Sequence, residues 1–402
     1  KLWSGANWLD DNVAGASFTG GDNVTFTATA GCKRVDVGEE GVVTGNMTIS
    51  NAAEYAFEGS AVNVSGDLSL ESGASAVFQN KLTVGGSTSI QNGGVLELRH
   101  DTALSLAANT TNTGTLKVTN GATVDLGNVS GTAKYKLDGD GTVQMNVTGG
   151  NYILSSADNA FSGTLEINLG GSHFIVGSGE AGSVTFTGNP DLVLTGGGNG
   201  SHFIINSNYH GTDHVLNIGS LATGVNGTNV LIHGGNGANP ANEDYRYLAV
   251  HQDKDTTFAG KFANYSAKDN ASGQRGAGLI MNGAGTLTLT GANDSMAGLI
   301  INSGTVALSG SGYWKGDVTV GNGGQLYLQK DGALNSAHSL TISGNGVAAF
   351  TDDAGVYHAA RAGALKLDDG RTLVHAVTIG EGGASIATEE GATATISGAI
   401  SG

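Results

Sequence analysis

Between Asn239 and Arg275 the sequence gathers the side chains best suited to hold a ligand: Pro240, then Tyr245-Arg246-Tyr247, Lys254, Lys261, Tyr265, Lys268 and Arg275. Aromatic rings stack on the apolar faces of sugars, and Lys or Arg meets sulfate or carboxylate through charge-assisted hydrogen bonds. Basic groups interleaved with aromatics therefore suit an anionic or neutral glycan. Tyr245 and Tyr247 are two residues apart, so they share a face if the stretch is a strand. We take Tyr245, Arg246, Lys254, Lys261, Lys268 and Arg275 as the expected ligand-contact residues. The alternative is a longer pair of strand-bearing turns, with Phe258 and Phe262 facing inward and the charges solvating the outside.

Other constellations are weaker. Asp352, Asp353, Arg361, Lys366, Asp368, Asp369 and Arg371 include the residue types a polysaccharide lyase needs, acids for calcium and a base near the sugar C5 proton. Acids beside glycine are equally ordinary turn residues. His210 and His214, with Asp213, have the i, i+4 spacing of a metal site, a spacing that has that meaning only on a helix. Asp294-Ser295 is followed by Met296 and so lacks the glycine that helps build an oxyanion hole. Gly196-Gly197-Gly198-Asn199-Gly200 is not continued by the aspartate of a calcium-binding roll. Lys315-Gly316-Asp317 resembles an integrin tripeptide but leads directly into a strand. Cys32 is the one cysteine, expected to be unpaired and non-catalytic. These residues predict no enzyme, no metal site and no cofactor.

The elements that position these groups are strands. The 402 residues include 68 Gly and only 2 Pro, with 13% charged and 39% hydrophobic. Typical chains have about 7% Gly and about 25% charge. Val, Leu and Ile flanked by Thr and Ser form a strand vocabulary, punctuated by the Gly, Asn and Asp of tight turns. A formal net charge of −17 excludes a nucleic-acid partner, whose phosphates need a basic footprint. No apolar run approaches the roughly 20 residues of a membrane helix.

Asn46 to Phe57, Gly66 to Phe78 and Gly86 to Leu98 align with one another. Apolar anchors fall at Ile49, Leu70 and Ile90, then at Phe57, Phe78 and Leu98, so each recurs after twenty or twenty-one positions. A recurrence of that size, with short alternating strands, marks a solenoid that needs no second core. The same alternation recurs at Leu116-Val118, Val124-Leu126, Val143-Val147, Leu287-Leu289, Val306-Leu308, Val318-Val320, Leu326-Leu328 and Leu340-Ile342. The expected fold is all-β, a right-handed single-stranded parallel β-helix of roughly 18–20 coils over residues 1–402, with 239–275 as longer coils or a loop insertion.

Residues Gly283 to Leu308 read GAGTLTLTGANDSMAGLIINSGTVAL. This segment resembles the autotransporter-associated β-strand repeat: Gly-x-Gly-Thr-Leu-x-Leu-x-Gly-x-Asn, then Gly, then a strand of Ile/Val-Asn-x-Gly-Thr-Leu/Val type. The opening is similar to that of such passengers as well, with Trp3-Ser4-Gly5-Ala6-Asn7-Trp8, Phe18 and Gly21-Asp22-Asn23-Val24-Thr25-Phe26. Ile396 to Gly402 resembles the strand that precedes a further copy. The resemblance implies a passenger of a Gram-negative type V secretion system, carried to the outer-membrane surface by a signal peptide and a C-terminal barrel that this sequence lacks. It implies an adhesin whose partner is a host extracellular-matrix glycan, such as a glycosaminoglycan, or a matrix glycoprotein such as fibronectin. Two alternatives stand beside that: self-association with another passenger copy, driving aggregation and biofilm, and a polysaccharide lyase-like enzyme on the same architecture.

Overall fold

The alternation of apolar and polar residues becomes strands that bury every second side chain. Met47–Ile49, Val62–Val64 and Leu68–Leu70 each hide their outer two residues and leave the middle one partly open. The structure, a computed structural model, describes residues 3, 8–10, 13–16, 18–29, 33–106, 111–156, 158–177, 184–198, 200–205, 214–234, 246–265, 275–312, 314–334, 337–352 and 354–402. Among these residues the fold is all-β, its one helical element being a 3-10 turn at Gly227–Asn229. No helix is long and apolar enough to cross a membrane. The chain divides into two compact units, Lys1–Asn168 with Phe186–Gly188, and Leu169–Thr185 with Asn189–Gly402.

In the first unit the chain visits three parallel sheets in rotation. Met47–Ile49, Glu54–Glu58 and Val62–Val64 enter one sheet each, and Leu68–Leu70, Ser75–Phe78 and Leu82–Val84 then join the same three sheets in the same order. Phe57 lies opposite Phe78, Phe78 opposite Leu98, and Val62 opposite Leu82, so one circuit takes about twenty residues. The register keeps like on like: the rings of Phe57 and Phe78 stack at 4.6 Å and 10°, and Ile49, Leu70 and Ile90 are fully buried. Burying such rings and branched chains is the main driving force, about 1.5–3 kcal/mol per side chain. Polar side chains close one corner. Asn46 N–H donates to Asn23 Oδ1, Asp67 N–H to Asn46 Oδ1, and Ser87 N–H to Asp67 Oδ1, so each circuit receives the next one's amide. At another corner Gly93 adopts φ +69°, which a side chain rarely tolerates.

Deeper in this unit Tyr135 and Tyr152 are buried and joined hydroxyl to hydroxyl. Burial pushes the Tyr135 phenol up to about 12 and drives that of Tyr152 well above its ordinary value.

The second unit starts with wider circuits. His173 lies opposite His202 and His202 opposite Leu231, each twenty-nine positions on. Arg246 lies opposite Ala277 and Thr256 opposite Leu287, each thirty-one positions on. Toward the C-terminus the step narrows again, with Leu279 opposite Leu299 and Gly304 opposite Gly324. Phe258 and Phe262 are fully buried, as the inward-facing alternative requires. Every strand read from the alternation between Leu116 and Ile342 falls within a strand of the structure. The segment resembling the passenger repeat forms the parallel pair Arg275–Leu289 and Leu299–Leu308. Its asparagine, Asn293, has a visible structural role, because Phe262 N–H donates to Asn293 Oδ1 at 3.0 Å.

One circuit is interrupted. Leu326 lies opposite Leu365, well beyond the usual step, because a hairpin is inserted between them. Gly346–Val347 pairs antiparallel with Arg361–Ala362, and Phe350–Thr351 with Tyr357–His358.

A candidate ligand groove beside the hairpin

Successive wide circuits place Asn189 with Asp191, Gly219 with Ser220, and His251 through Lys254 beside one another. The hairpin adds Asp352 and Ala354, and together these residues enclose a groove of about 380 Å³. Gly219 sits in the floor at a point of close approach. A Cβ there would sit 2.5 Å from Asn189 O and 2.9 Å from Asp191 Oδ1. Along the wall, Lys254 Nζ pairs with Asp191 Oδ2, and Ala284 N–H donates to Asp253 Oδ1 at 2.9 Å. His251 Nε2 bonds Asn217 Oδ1 at 3.0 Å, and burial lowers the imidazole's pKa, which keeps it neutral near pH 7. Gln252 is the buried keystone beneath. Its amide donates to Lys254 O at 2.9 Å and Thr286 O at 2.8 Å, and its carbonyl accepts from Thr256 Oγ1 at 3.0 Å.

The hairpin is tied down. Arg361 Nη1 donates to Thr286 Oγ1 at 3.0 Å, Nη2 donates to Ala284 O, and the guanidinium lies 5.7 Å from the Phe350 ring centroid. Phe350 stacks on His358 at 4.5 Å and 5°, and His358 Nε2 bonds Asp352 Oδ2 at 2.9 Å. Asp352 also accepts the Val356 N–H at 2.8 Å. The His358 and Val356 bonds hold its carboxyl below the usual carboxylate range.

Of the six expected contact residues, the side chains of Arg246, Lys254 and Lys261 are described, and these three do not line one site. Lys254 lines the groove, but as half of an ion pair. Lys261 is exposed in the short strand Lys261–Phe262. Arg246 requires a correction: it is 0% exposed, turned into the interior and out of a surface ligand's reach. Alternation explains this, since Arg246 opens a strand whose burial runs inward, outward, inward. Tyr245 and Lys268 lie outside the described residues, and of Arg275 only the backbone is described, at the head of Arg275–Leu289. Tyr247 is half-buried, its ring so close to Gly278 that a Cβ there would come within 2.3 Å of it.

The other constellations resolve into structural bonds. Lys366 pairs with Glu389 and lies over the Tyr327 ring, Asp368 accepts from the Tyr327 hydroxyl, Asp369 from Thr393 N–H, and Arg371 lies 3.8 Å from Asp331. Ser295 is buried and donates to Ala277 O at 2.8 Å. Lys315 pairs with Asp294, while Asp317 accepts bonds from His338 and Ser339. Cys32, His210, Asp213 and Asp353 lie outside the described residues, as does the side chain of His214. Among the described residues no group of three or more His, Cys, Asp or Glu is arranged to hold a metal ion.

Two features escaped the sequence. The groove joins stretches of chain far apart in sequence, Asn189, Gly219, His251 and Asp352, and only the wider period could have aligned the first three. A histidine column is the other. His173 stacks on His202 at 4.6 Å and 7°, and His233 Nε2 meets His202 Nδ1 at 3.2 Å. Burial holds His233 at about 3 and, with the charges of His173 and Lys261, His202 at about 4. Burial also lowers His173.

Comparison with protein-family models, with curated proteins and with solved structures found no match for this chain.

Proposed function

We propose that this chain is a right-handed parallel β-helix serving as the passenger of an autotransporter adhesin at a bacterial surface, where it holds a host matrix glycan or glycoprotein without transforming it. The observation that carries the reading is the circuit. Within the first unit the chain re-enters the same three parallel sheets about every twenty residues. That arrangement yields a repeated outer face, and such faces suit extended ligands met by many weak contacts. The repeat-like segment 283–308 supplies the motif on which the passenger assignment rests. The acids and bases a lyase would need are occupied with structural partners at Lys366, Asp368, Asp369 and Arg371, which favours binding over catalysis.

The test is a panel of immobilised matrix glycoproteins and glycans, heparin included, probed with the purified chain. Saturable binding to at least one member, with the polymer's length unchanged after incubation, is expected. Shortened polymer would point to the lyase-like alternative. A sedimentation coefficient that rises with protein concentration, with no panel binding, would point to self-association.

A further inference from the structure

We infer that the groove beneath the Gly346–Ala362 hairpin binds a neutral, hydroxyl-rich sugar unit; this rests on the adhesive reading above and names the ligand class of its site.

The size is right. About 380 Å³ lies at the lower end of the roughly 300–1,000 Å³ of small-molecule sites, room for one or two sugar rings. At Gly219 the floor is bare backbone: the residue's conformation does not call for glycine, but a Cβ there would collide with Asn189 O and Asp191 Oδ1.

The chemistry is right for hydroxyls and wrong for sulfate. Sugar hydroxyls both donate and accept, so a matching site needs acceptors and donors together. Asp253 offers acceptor oxygens, and Lys254 has three N–H donors, of which the Asp191 bond takes one. The ionisable groups of the lining, the neutral His251 aside, are Asp191, Asp253 and Asp352 against the single Lys254. Once Lys254 and Asp191 neutralise each other, two carboxylates remain, and the whole chain carries −17. A sulfated or uronic polymer is repelled from such a groove. The ligand class of this groove therefore differs from the glycosaminoglycan expected of the basic residues between 239 and 275.

The walls are preorganised. Gln252 fixes the turn that carries Asp253 and Lys254 through its bonds to Lys254 O and Thr286 O. Arg361 fixes the root of the hairpin, and the Phe350–His358–Asp352 chain fixes its tip. A groove with settled walls loses little entropy on binding. No Phe, Tyr or Trp is among the residues that line it, so one sugar unit binds weakly, with Kd of about 1 mM, and many copies on a cell supply avidity.

The experiment is saturation-transfer NMR on the purified chain. The methyl glycosides of glucose, galactose, mannose and N-acetylglucosamine are the probes, with a heparin tetrasaccharide as the charged control. At least one neutral glycoside should give saturable transfer and the tetrasaccharide none. Lys254→Met, which removes the groove's ammonium donors and leaves Asp191 without its ion pair, should weaken that glycoside at least tenfold. Gly219→Val, checked for fold by circular dichroism, should abolish it. Transfer to the tetrasaccharide alone, transfer to no glycoside, or full neutral-sugar binding in Lys254→Met would each overturn the inference. Matrix-panel binding that persists undiminished in Lys254→Met removes the groove while the adhesive reading stands. Neutral-sugar binding in the groove, with no panel binding by the native chain, keeps the site and removes the adhesive reading.

Discussion

The circuits between Met47 and Leu98 and those between His173 and Leu289 obey one rule of parallel stacking with different interiors. In the first stretch the step is twenty or twenty-one residues and the inside is hydrocarbon: Ile49, Phe57, Leu70, Phe78, Ile90 and Leu98. In the second the step widens to between twenty-nine positions (His173 to His202) and thirty-two (His214 to Arg246). The buried set there includes Ser201, Ser220, His233, Arg246 and Gln252. The added length makes room for polar side chains inside, and each must then find a partner because an orphaned buried group costs about 1–3 kcal/mol. The narrow circuits hold themselves together mainly by packing, with side-chain bonds such as that of Asp67 N–H to Asn46 Oδ1 confined to a corner. The wide ones spend part of their interior on a hydrogen-bonded frame, and the groove lies on that frame.

Breaking the hydrocarbon ladder should have the largest effect. Phe78→Ala removes a fully buried ring stacked on Phe57 and should cost about 3–5 kcal/mol, read as a lower midpoint in guanidinium unfolding. Breaking the polar frame comes next. Gln252→Leu keeps the volume but strands Lys254 O and Thr286 O, and should cost about 1–3 kcal/mol by the same assay while weakening any ligand of the groove.

A third test separates the two interiors by pH. The histidines of the column have folded pKa values below their unfolded ones, so below about pH 6.5 the unfolded chain binds protons the folded chain refuses. Stability is therefore fully present near neutrality and falls as pH drops from about 6.5 toward 4. Among the described residues the charged or titratable groups acting on the column are its own three rings and Lys261, whose charge acts in the same direction. Hydrogen exchange at pH 7 and pH 5, corrected for intrinsic rates, should show Val230–His233 opening at the lower pH while Ser75–Phe78 stays protected. Equal protection of both at pH 5 would falsify the distinction. The smallest effect is expected at the surface of the narrow region. Arg34→Ala breaks the exposed pair with Glu58 and should change stability by less than about 1 kcal/mol.

The same contrast explains what could be read in advance. Ile49, Leu70 and Ile90, and Phe57, Phe78 and Leu98, recur in the order in which the strands pair, because a hydrocarbon interior writes its period directly into apolar residues. The wider period was hidden. His202, His233 and Gln252 belong to the wide circuits but carry no apolar signal, so the alternation blurs where the circuits widen. Lys254 stood out by composition. Its groove partners Asn189, Asp191, Ser220 and Asp352 did not, since each is an unremarkable polar residue at the edge of a strand or in a turn until three circuits and a hairpin meet. Arg246 misled for the matching reason: a cation suggests a surface, and this one opens a strand with its side chain inward.

The facing of Val62 with Leu82 bears on heredity as well as on stability. An in-frame loss of residues 62–81 would join Ala61 to Leu82 and set Leu82 where Val62 stood, opposite Val42, with every later register intact. A loss of half a circuit would instead turn whole strands to the wrong sheet. Length changes in whole circuits are therefore the ones the fold can absorb, so variants that lose about twenty residues in the narrow region or about thirty in the wide one should still fold, where losses of half that size should not.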